Sequence, residues 1–476
     1  MIIATTVLGS AVAQLTATVV NVALPTLAAD LDVESAGQQW VNNAYLVTLA
    51  SFILIGGSLG DRFGRRRVYR IGVAWFAVAS LLCAVAPNVE ILIASRLLQG
   101  VGGALLTPGS LAIIEASLVR EDRGRGVGAW SGLGGVAGAI GPLVGGLVVE
   151  WSWRWVFVIN LPLAVAVLVL SRWMPETSDP EAGSMPLDLV GALLSVVLLG
   201  GSSYALIEGS GGAAGGPVSV AAVLAVLALV ALLLWERDRP GAMVPLDLFR
   251  IRPFVAANAV TLLVYGGLGV VFFLLTIQLQ VSAGWSPIEA GSALLPVTVI
   301  MLLLSSRAGA LATRLGPRWP LTVGPLVMAA GMVMMSSIGP GVSFVRDVLP
   351  ATIVFGLGLA TTVAPVTTAA LGTVPDARAG AASGTNNAVA RTGQLLAVAA
   401  VPLIVGLTGD GLSDPVQLDQ HFGAAVRVGA AMVALGGVFA FLLFRDDDLS
   451  AAAVEDLDLQ PEMFQCGVDG PVIQRC

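Results

Sequence analysis

The sequence predicts an all-α membrane protein of about fourteen transmembrane helices, built as two six-helix repeats with two helices inserted between them. Three observations predict this. Of the 476 residues, 56% are hydrophobic and 12% charged, against about 25% charged in an average soluble domain, and the apolar runs lack the polar face at a period of 3.6 that a water-facing helix carries. Runs of spanning length, about 20 residues each, recur along the whole chain. Arginines gather in alternate connections between these runs, as the loops on one side of a membrane require.

In chain order the runs lie near 2–27, 38–60, 68–87, 91–118, 126–150, 155–173, 187–207, 217–235, 254–281, 288–312, 319–338, 348–371, 380–407 and 422–444. No connection is long enough for a separate domain. Met1 opens straight into the first run without a basic leader or a small-residue cleavage site, which predicts an uncleaved first helix; whether Met1 is the true start stays open. The expected organisation is a six-helix half over 1–173, inserted helices seven and eight with their flanks over 174–253, a second half over 254–445, and an acidic tail over 446–476 whose composition resembles a disordered segment. That tail holds eight acidic residues against Arg475, which accounts for the whole net charge of −7. The membrane body is neutral and offers no footprint for nucleic acid. All 24 basic residues are arginine, as in a bacterium with GC-rich codons.

The first run carries Gln14, Thr16 and Asn21, and the second Asn43 and Tyr45. With Gln99, Asn258, Tyr265, Gln278 and Gln280 further on, these neutral groups suit a cavity for lipophilic or amphipathic compounds held by broad apolar contact; part of them serve helix packing instead. Between the second and third runs, GGSLGDRFGRRRVYR puts six charges into fifteen positions from Gly56 to Arg70. The step from Gly57 to Asp61 is one helical turn, so the small residue admits a partner helix while the carboxylate projects from the end. There it can meet the positive N-terminus of a facing helix, an interaction worth about 0.3–2 kcal/mol. Topology alone would use the arginines but needs neither Asp61 nor the glycines.

The fourth run contains Arg96. A guanidinium several residues inside a spanning helix costs at least about 2.5 kcal/mol and marks a function unless it snorkels to the surface. The fifth run places Gly134, Gly138, Gly141 and Gly145 at steps of four, three and four on one face, spacing that permits close backbone contact in lipid, and Pro142 removes a backbone donor and bends the helix. Its GLGGVAG stretch is no dinucleotide loop, because that needs a preceding strand. Arg391, with Gln394, is expected in helix packing, and His421 at the start of the last run in a solvated or interfacial place. Cys83 lies in an apolar run and Cys466 and Cys476 in the tail, so neither a disulfide nor a metal site is indicated.

Arginine placement sets the expected orientation. Arg62, Arg65, Arg66, Arg67 and Arg70, then Arg120, Arg123 and Arg125, then Arg237, Arg239, Arg250 and Arg252 mark cytoplasmic loops, and the opposite loops hold Asp30, Asp32, Glu34, Glu90, Glu208, Asp410, Asp414 and Asp419. Both termini are then inside. An internal repeat supports two halves: GSLGDRFGRRR from Gly57 aligns with GALATRLGPRW from Gly309, GVGGALLTP ending at Pro108 resembles GLGLATTVAP ending at Pro365, and Arg123 recurs as Arg378. Parallel repeats of this kind belong to secondary transporters.

These motifs, in this order, resemble the major facilitator superfamily. Gly57, Asp61, Arg62, Gly64, Arg65 and Arg66 match its loop signature. SRLLQGVGGALLTPG from Ser95, with Arg96, Gln99, Gly100 and Pro108, is similar to its fourth-helix signature. GVAGAIGPLVGG from Gly135, with Gly138, Gly141, Pro142, Gly145 and Gly146, is similar to the fifth-helix signature of its antiporters and exporters. TVVNVALP from Thr18 and WSWRWVFVINLP from Trp151 resemble its fourteen-helix drug:proton antiporter branch, and the resemblance covers all of the chain but the tail. It implies the major facilitator fold, alternating access, and a cytoplasmic lock in which Asp61 meets the thirteenth helix near Ala379 and Arg65 reaches Glu115.

One departure stands out. Members of that branch commonly carry an aspartate two residues before the Thr of TVVNVALP, and here that position is Thr16. A hydroxyl does not titrate near neutral pH. Either the proton is handled elsewhere, with Glu115 or Asp188 as candidates, or Arg96 binds the anionic group of a substrate. The expectation is a monomeric, proton-linked exporter of drugs, antibiotics or secondary metabolites in a bacterial cytoplasmic membrane, with the lipid bilayer, a lipophilic or amphipathic substrate and protons as its partners. No cofactor or metal is expected, and no nucleophile has a base at usable spacing, so it is not an enzyme. Two alternatives stay open: export without proton coupling at the first helix, and a transport-inactive sensor or scaffold whose tail binds a partner.

Overall fold

A computed structural model describes residues 2–118, 120–178, 187–210, 215–237, 239, 242–372, 374 and 378–444. The architecture is all helical: α1 (Ile2–Leu31), α2 (Ser35–Phe63), α3 (Arg65–Ala84), α4 (Val89–Ser117), α5 (Arg120–Val149), α6 (Trp155–Val158), α7 (Asn160–Leu170), α8 (Leu189–Ser210), α9 (Gly216–Glu236), α10 (Arg252–Val281), α11 (Pro287–Ser292), α12 (Leu295–Leu315), α13 (Arg318–Met335), α14 (Leu349–Leu371), α15 (Ala379–Val405) and α16 (Pro415–Leu443). Taking α6 with α7 and α11 with α12 as single broken crossings, these helices match the fourteen expected runs. Twelve spans among the described residues are long and apolar enough to cross a membrane by length and composition; α5 and α13 complete the set by packing on α1 and α14.

Burial sorts the helices into layers. The spanning windows of α1 and α10 are 83% buried, that of α9 only 11%. On α9, Val220, Val223, Leu224, Val226, Leu227, Val230, Leu233 and Leu234 are all exposed. An apolar surface of that extent on a multi-span helical protein signals lipid contact. α1 and α10 form the centre and α9 the rim.

The repeat read in the sequence reappears as repeated packing. α3 packs on α4 and α7 while α13 packs on α14 and α16; α1 packs on α5 while α10 packs on α15. Gly64 and Gly316, the matched glycines of the two repeats, end α2 and α12 with φ of +100° and +76°. Only glycine takes that region without strain, so each helix stops and the next begins at once. Between the halves α2 lies on α15, α5 on α11 and α12, and α1 on α10, and α8 touches both α2 and α15 across that seam.

Three boundaries differ most from the sequence reading, the first being α3, which begins at Arg65 so that Arg65, Arg66, Arg67 and Arg70, expected in a loop, lie on helix. α5 begins at Arg120, so the arginines expected in a loop lie on helix, because hydropathy marks the lipid crossing and backbone hydrogen bonding continues beyond it. α16 begins at Pro415, about two turns before the expected start, because Asp414 caps it, accepting from Val416 N and Gln417 N. His421 is therefore in the second turn of a helix. The acidic tail lies outside the described residues.

Candidate functional site

The charged loop folds onto itself. A side chain at Gly64 would stand 2.7 Å from Glu176 Oε1 as well as being strained. The turn there swings Arg65 back so that its Nε donates to Asp61 Oδ1 at 2.7 Å and its Nη1 to the Ala112 carbonyl of α4 at 3.4 Å. The side chain of Glu115, the expected partner of Arg65, lies outside the described residues. Arg66 is held by the segment after α7: its backbone N–H donates to Glu176 Oε1 at 2.9 Å and its guanidinium to the Met174 carbonyl at 2.7 Å. Arg62 stacks over the Phe63 ring at 5.3 Å. Asp61, Arg65, Gly57 and Pro108 line a cavity of about 40 Å³ whose far wall is Gly380, Ser383 and Gly384 in the first turns of α15. Asp61 thus faces the N-terminal end of α15 across room for a few waters at most.

Two turns into α4, Arg96 is completely buried, so it does not snorkel. Its Nε donates to the Val41 carbonyl at 2.9 Å, its Nη1 to Gln99 Oε1 at 2.5 Å, and its guanidinium lies 4.6 Å over the Tyr45 ring. Nη2 has no partner, and no carboxylate pairs with Arg96 among the described residues. Gln99 Nε2 donates to Ser80 Oγ at 2.7 Å, Asn160 Nδ2 to the same oxygen at 3.4 Å, and Thr16 Oγ1 sits 3.0 Å from Asn160 Oδ1. A buried polar chain therefore runs Thr16–Asn160–Ser80–Gln99–Arg96 through α1, α7, α3 and α4. Thr16 and Arg96 meet through three intermediates rather than face to face.

A second buried arginine crosses between the halves. Arg391 on α15, expected to serve helix packing, donates from Nη2 to Gln14 Oε1 on α1 at 2.6 Å, while its Nε has no partner. Asn43 Nδ2 reaches the Leu395 carbonyl at 3.5 Å, also across the seam. At the far end of the seam Gln38 Nε2 donates to Ser413 Oγ at 3.0 Å and Leu412 N to Ser35 Oγ at 2.9 Å. Tyr45 OH donates to the Ala13 carbonyl at 3.2 Å, and Gly100 admits α2 so closely that a Cβ there would strike the Tyr45 carbonyl and Thr48 Oγ1.

The glycine face of α5 divides in two. Gly141 and Gly145 meet α1, where Thr18 Oγ1 donates to the Gly138 carbonyl at 2.8 Å and a Cβ on Gly145 would lie 2.9 Å from the Val19 carbonyl. Gly134 has nothing within 4 Å of its Cβ position. The contact between halves falls to Gly146, whose Cβ would sit 2.8 Å from Ile288 Cα, and to Pro142, whose carbonyl faces Gly291 of α11.

The remaining cavity candidates scatter. Gln278 donates to the Ile338 carbonyl and to Asp419 Oδ1, each at 3.0 Å, and so fastens the end of α10. Asn21 is buried, its own carbonyl accepting from Thr276 at 3.4 Å. Asn258 accepts from Asn386 Nδ2 at 3.2 Å and lines a separate lateral cavity of about 380 Å³ between α2, α8, α10 and α15. Tyr265 is half-buried against the main core. Sequence reasoning passed over Ser80, Asn160 and Glu176. Asn160 stands inside the WVFVINLP stretch, which was the available signal; Ser80 and Glu176 carry none.

Over residues 6–398 the chain matches the family profile of the Major Facilitator Superfamily. It is similar to the multidrug resistance protein Stp of Mycobacterium tuberculosis, 31% identical over 393 residues, which cover 81% of this chain and 72% of that protein. It is 32% identical over 418 residues to the tetracenomycin C resistance and export protein of Streptomyces glaucescens, covering 84% of this chain and 75% of that protein. With the methylenomycin A resistance protein of Streptomyces coelicolor it shares 33% over 445 residues, 91% of this chain and 90% of that protein. Among solved structures a D-xylose-proton symporter matches with a TM-score of 0.63 and 16% identity, covering 93% of this chain and 97% of the other, a likeness of fold alone. Family profile, relatives and helical plan agree, and the chain belongs to the major facilitator superfamily as a multi-pass membrane transporter.

Proposed function

We propose that this transporter exports drugs, antibiotics or secondary metabolites of lipophilic or amphipathic character by rocking its halves, 1–173 and 254–445, about the polar centre, in exchange for protons. Residues 174–253 then ride as an insertion and 446–476 as a tail. The observation that carries the reading is the seam itself. Among the described residues the polar ties between the halves are single, breakable hydrogen bonds: Ser35 and Gln38 to the 412–413 loop at one end, Gln14 to Arg391, Asn43 to the Leu395 carbonyl, and Thr276 and Gln280 to the Asn21 and Val22 carbonyls between the ends, with Asp61 facing α15 at the other end. A permanently joined pair of halves would need no cavity at that last place. The arginine bias supports both termini on the cytoplasmic side of a bacterial membrane, with the protein working there as a monomer. The relatives named for resistance and export support the direction of transport.

A second reading of the coupling has its own observation. Arg96 and Arg391 are both buried, each keeps one unpartnered nitrogen, and Thr16 supplies no carboxylate. A centre of that kind favours an anionic or electron-rich substrate group and no proton at α1. Substrate panels that include a lipophilic cation and an organic anion, assayed in inside-out vesicles with and without an imposed pH gradient, separate the two. Gradient-driven uptake supports antiport, gradient-independent uptake of the anion supports the second reading, and no uptake of any compound contradicts both.

A further inference from the structure

Away from the polar centre, the inserted helices hold two carboxyls with no cation bonded to either among the described residues. Asp188, at the start of α8, and Glu236, at the end of α9, are 5% and 2% exposed. Asp188 Oδ1 accepts from Gly191 N at 2.9 Å and from Trp235 Nε1 at 2.8 Å, and its Oδ2 from Met243 N at 3.4 Å. Glu236 Oε2 accepts from Val244 N at 3.3 Å. Glu236 Oε1 faces no N–H or O–H. It lies over Gly191 beside Asp188 Oδ2, the two oxygens 2.6 and 2.7 Å from where a Cβ on that glycine would stand. Both oxygens crowd that one point with no donor between them, and two carboxyl oxygens so placed can bond to one another only through a proton.

The charged groups around the pair are engaged elsewhere. Arg239 lies over the Trp235 ring at 4.2 Å, Asp247 is bonded to Arg378, Asp61 to Arg65, and Arg62 sits over Phe63, while Arg237 follows α9 and carries its own contacts. Like charges at this distance in a dry site cannot both stay ionised. Met243 and Val244, whose N–H groups the carboxyls hold, are also wall residues of the 380 Å³ lateral cavity, and α8 bridges α2 and α15 on its other side.

We propose that Asp188 and Glu236 form a binding site for a single exchangeable proton, and that this proton fastens the inserted pair α8–α9 to the 243–244 wall of the lateral cavity. With the proton bound, Glu236 Oε1 donates to Asp188 Oδ2, which also holds the Met243 N–H, while Glu236 Oε2 holds that of Val244. When it leaves, two adjacent carboxylates repel, Glu236 turns away, and the Val244 N–H is released. The functional consequence rests on the transporter reading; the site does not.

Trp235 reports on it directly, because its indole is bonded to Asp188. Purified full-length protein in lipid nanodiscs is titrated across the neutral range, and the emission of Trp235→Phe is subtracted from that of the wild type. One titration step is expected, absent from Glu236→Gln, whose amide imitates the protonated acid and keeps the fold, and absent from Asp188→Asn. A flat wild-type difference, or a step that persists in Glu236→Gln, overturns the site. In proteoliposomes with ethidium as probe, the pH dependence of transport is expected to flatten in Glu236→Gln. An unflattened profile overturns the link to the cavity wall, and a clean titration with no ethidium movement in any protein supports the site while counting against this probe's transport.

Discussion

Arg96 holds a full charge in a place where no carboxylate among the described residues answers it, and its hydrogen bonds run to a backbone carbonyl and to Gln99. Removing a buried, unpaired cation is expected to be neutral or stabilising. Arg96→Met should therefore leave the melting temperature unchanged or raised, while transport falls at least about tenfold, equivalent to about 1.4 kcal/mol. Thermal unfolding in detergent and vesicle uptake read the two separately, and a collapse of stability with the loss of transport would assign Arg96 to packing. Thr16→Asp places a carboxylate beside Asn160, at the far end of the chain that leads to Arg96. It should create or strengthen dependence on a pH gradient and weaken export of an anionic substrate; unchanged drive and unchanged selectivity would count against this account of α1. Burial of Arg96 was legible from its place in an apolar run. The route from it to Thr16 was not, because Ser80 and Asn160 come from α3 and α7 and nothing in one-dimensional spacing brings them together.

Helices obey the hydropathy pattern closely, since an apolar run of spanning length has few alternatives to a helix in lipid. What hydropathy does not show is where a helix continues into water, as at Arg120, or where a cap starts it early, as at Asp414. Nor does small-residue spacing tell which partner a glycine face meets. The four glycines of α5 promised one seam, but Gly141 and Gly145 meet α1, and the contact with the opposite half falls to Gly146 and Pro142. Gly146→Leu should cost about 1–3 kcal/mol through overpacking and hold the halves apart at α11, whereas Gly134→Ala should be silent. Melting temperature and cysteine accessibility along α11 check both. At the α15 start, Arg378 is bonded to Asp247, and this bond holds the Asp247 carboxyl below the usual carboxylate range. Such a group contributes stability above its unfolded value of about 3.9, and the contribution is lost as pH falls through the lower folded value. Both side chains are about half exposed, so Arg378→Ala should cost no more than about 1 kcal/mol at neutral pH, with the difference from wild type vanishing in acid.

For the whole molecule, the repeat was legible from two copies of one loop, and the matched left-handed glycines show why the copies survive: each half needs the same abrupt turn between its second and third crossings. The seam was less legible, because its ties pair residues on opposite halves, such as Gln14 with Arg391. Asp61→Asn should impair transport while membrane insertion stays intact, since the arginine bias remains; normal export by well-expressed protein would sink the lock. Deletion after Arg445 should leave export nearly unchanged, and a collapse of activity at normal expression would favour a tail that binds a partner. Alternating access is the central claim, and the far end of the seam tests it most directly. In a background with Cys83, Cys466 and Cys476 replaced, Ser35→Cys and Leu412→Cys can be joined by oxidation, because Ser35 Oγ stands 2.9 Å from the Leu412 backbone N and so keeps the two Cα atoms within the reach of a disulfide, about 7 Å. The account predicts that the joined protein, reconstituted in vesicles, moves no substrate and recovers transport on reduction, while full transport with the two halves joined at that end would contradict it.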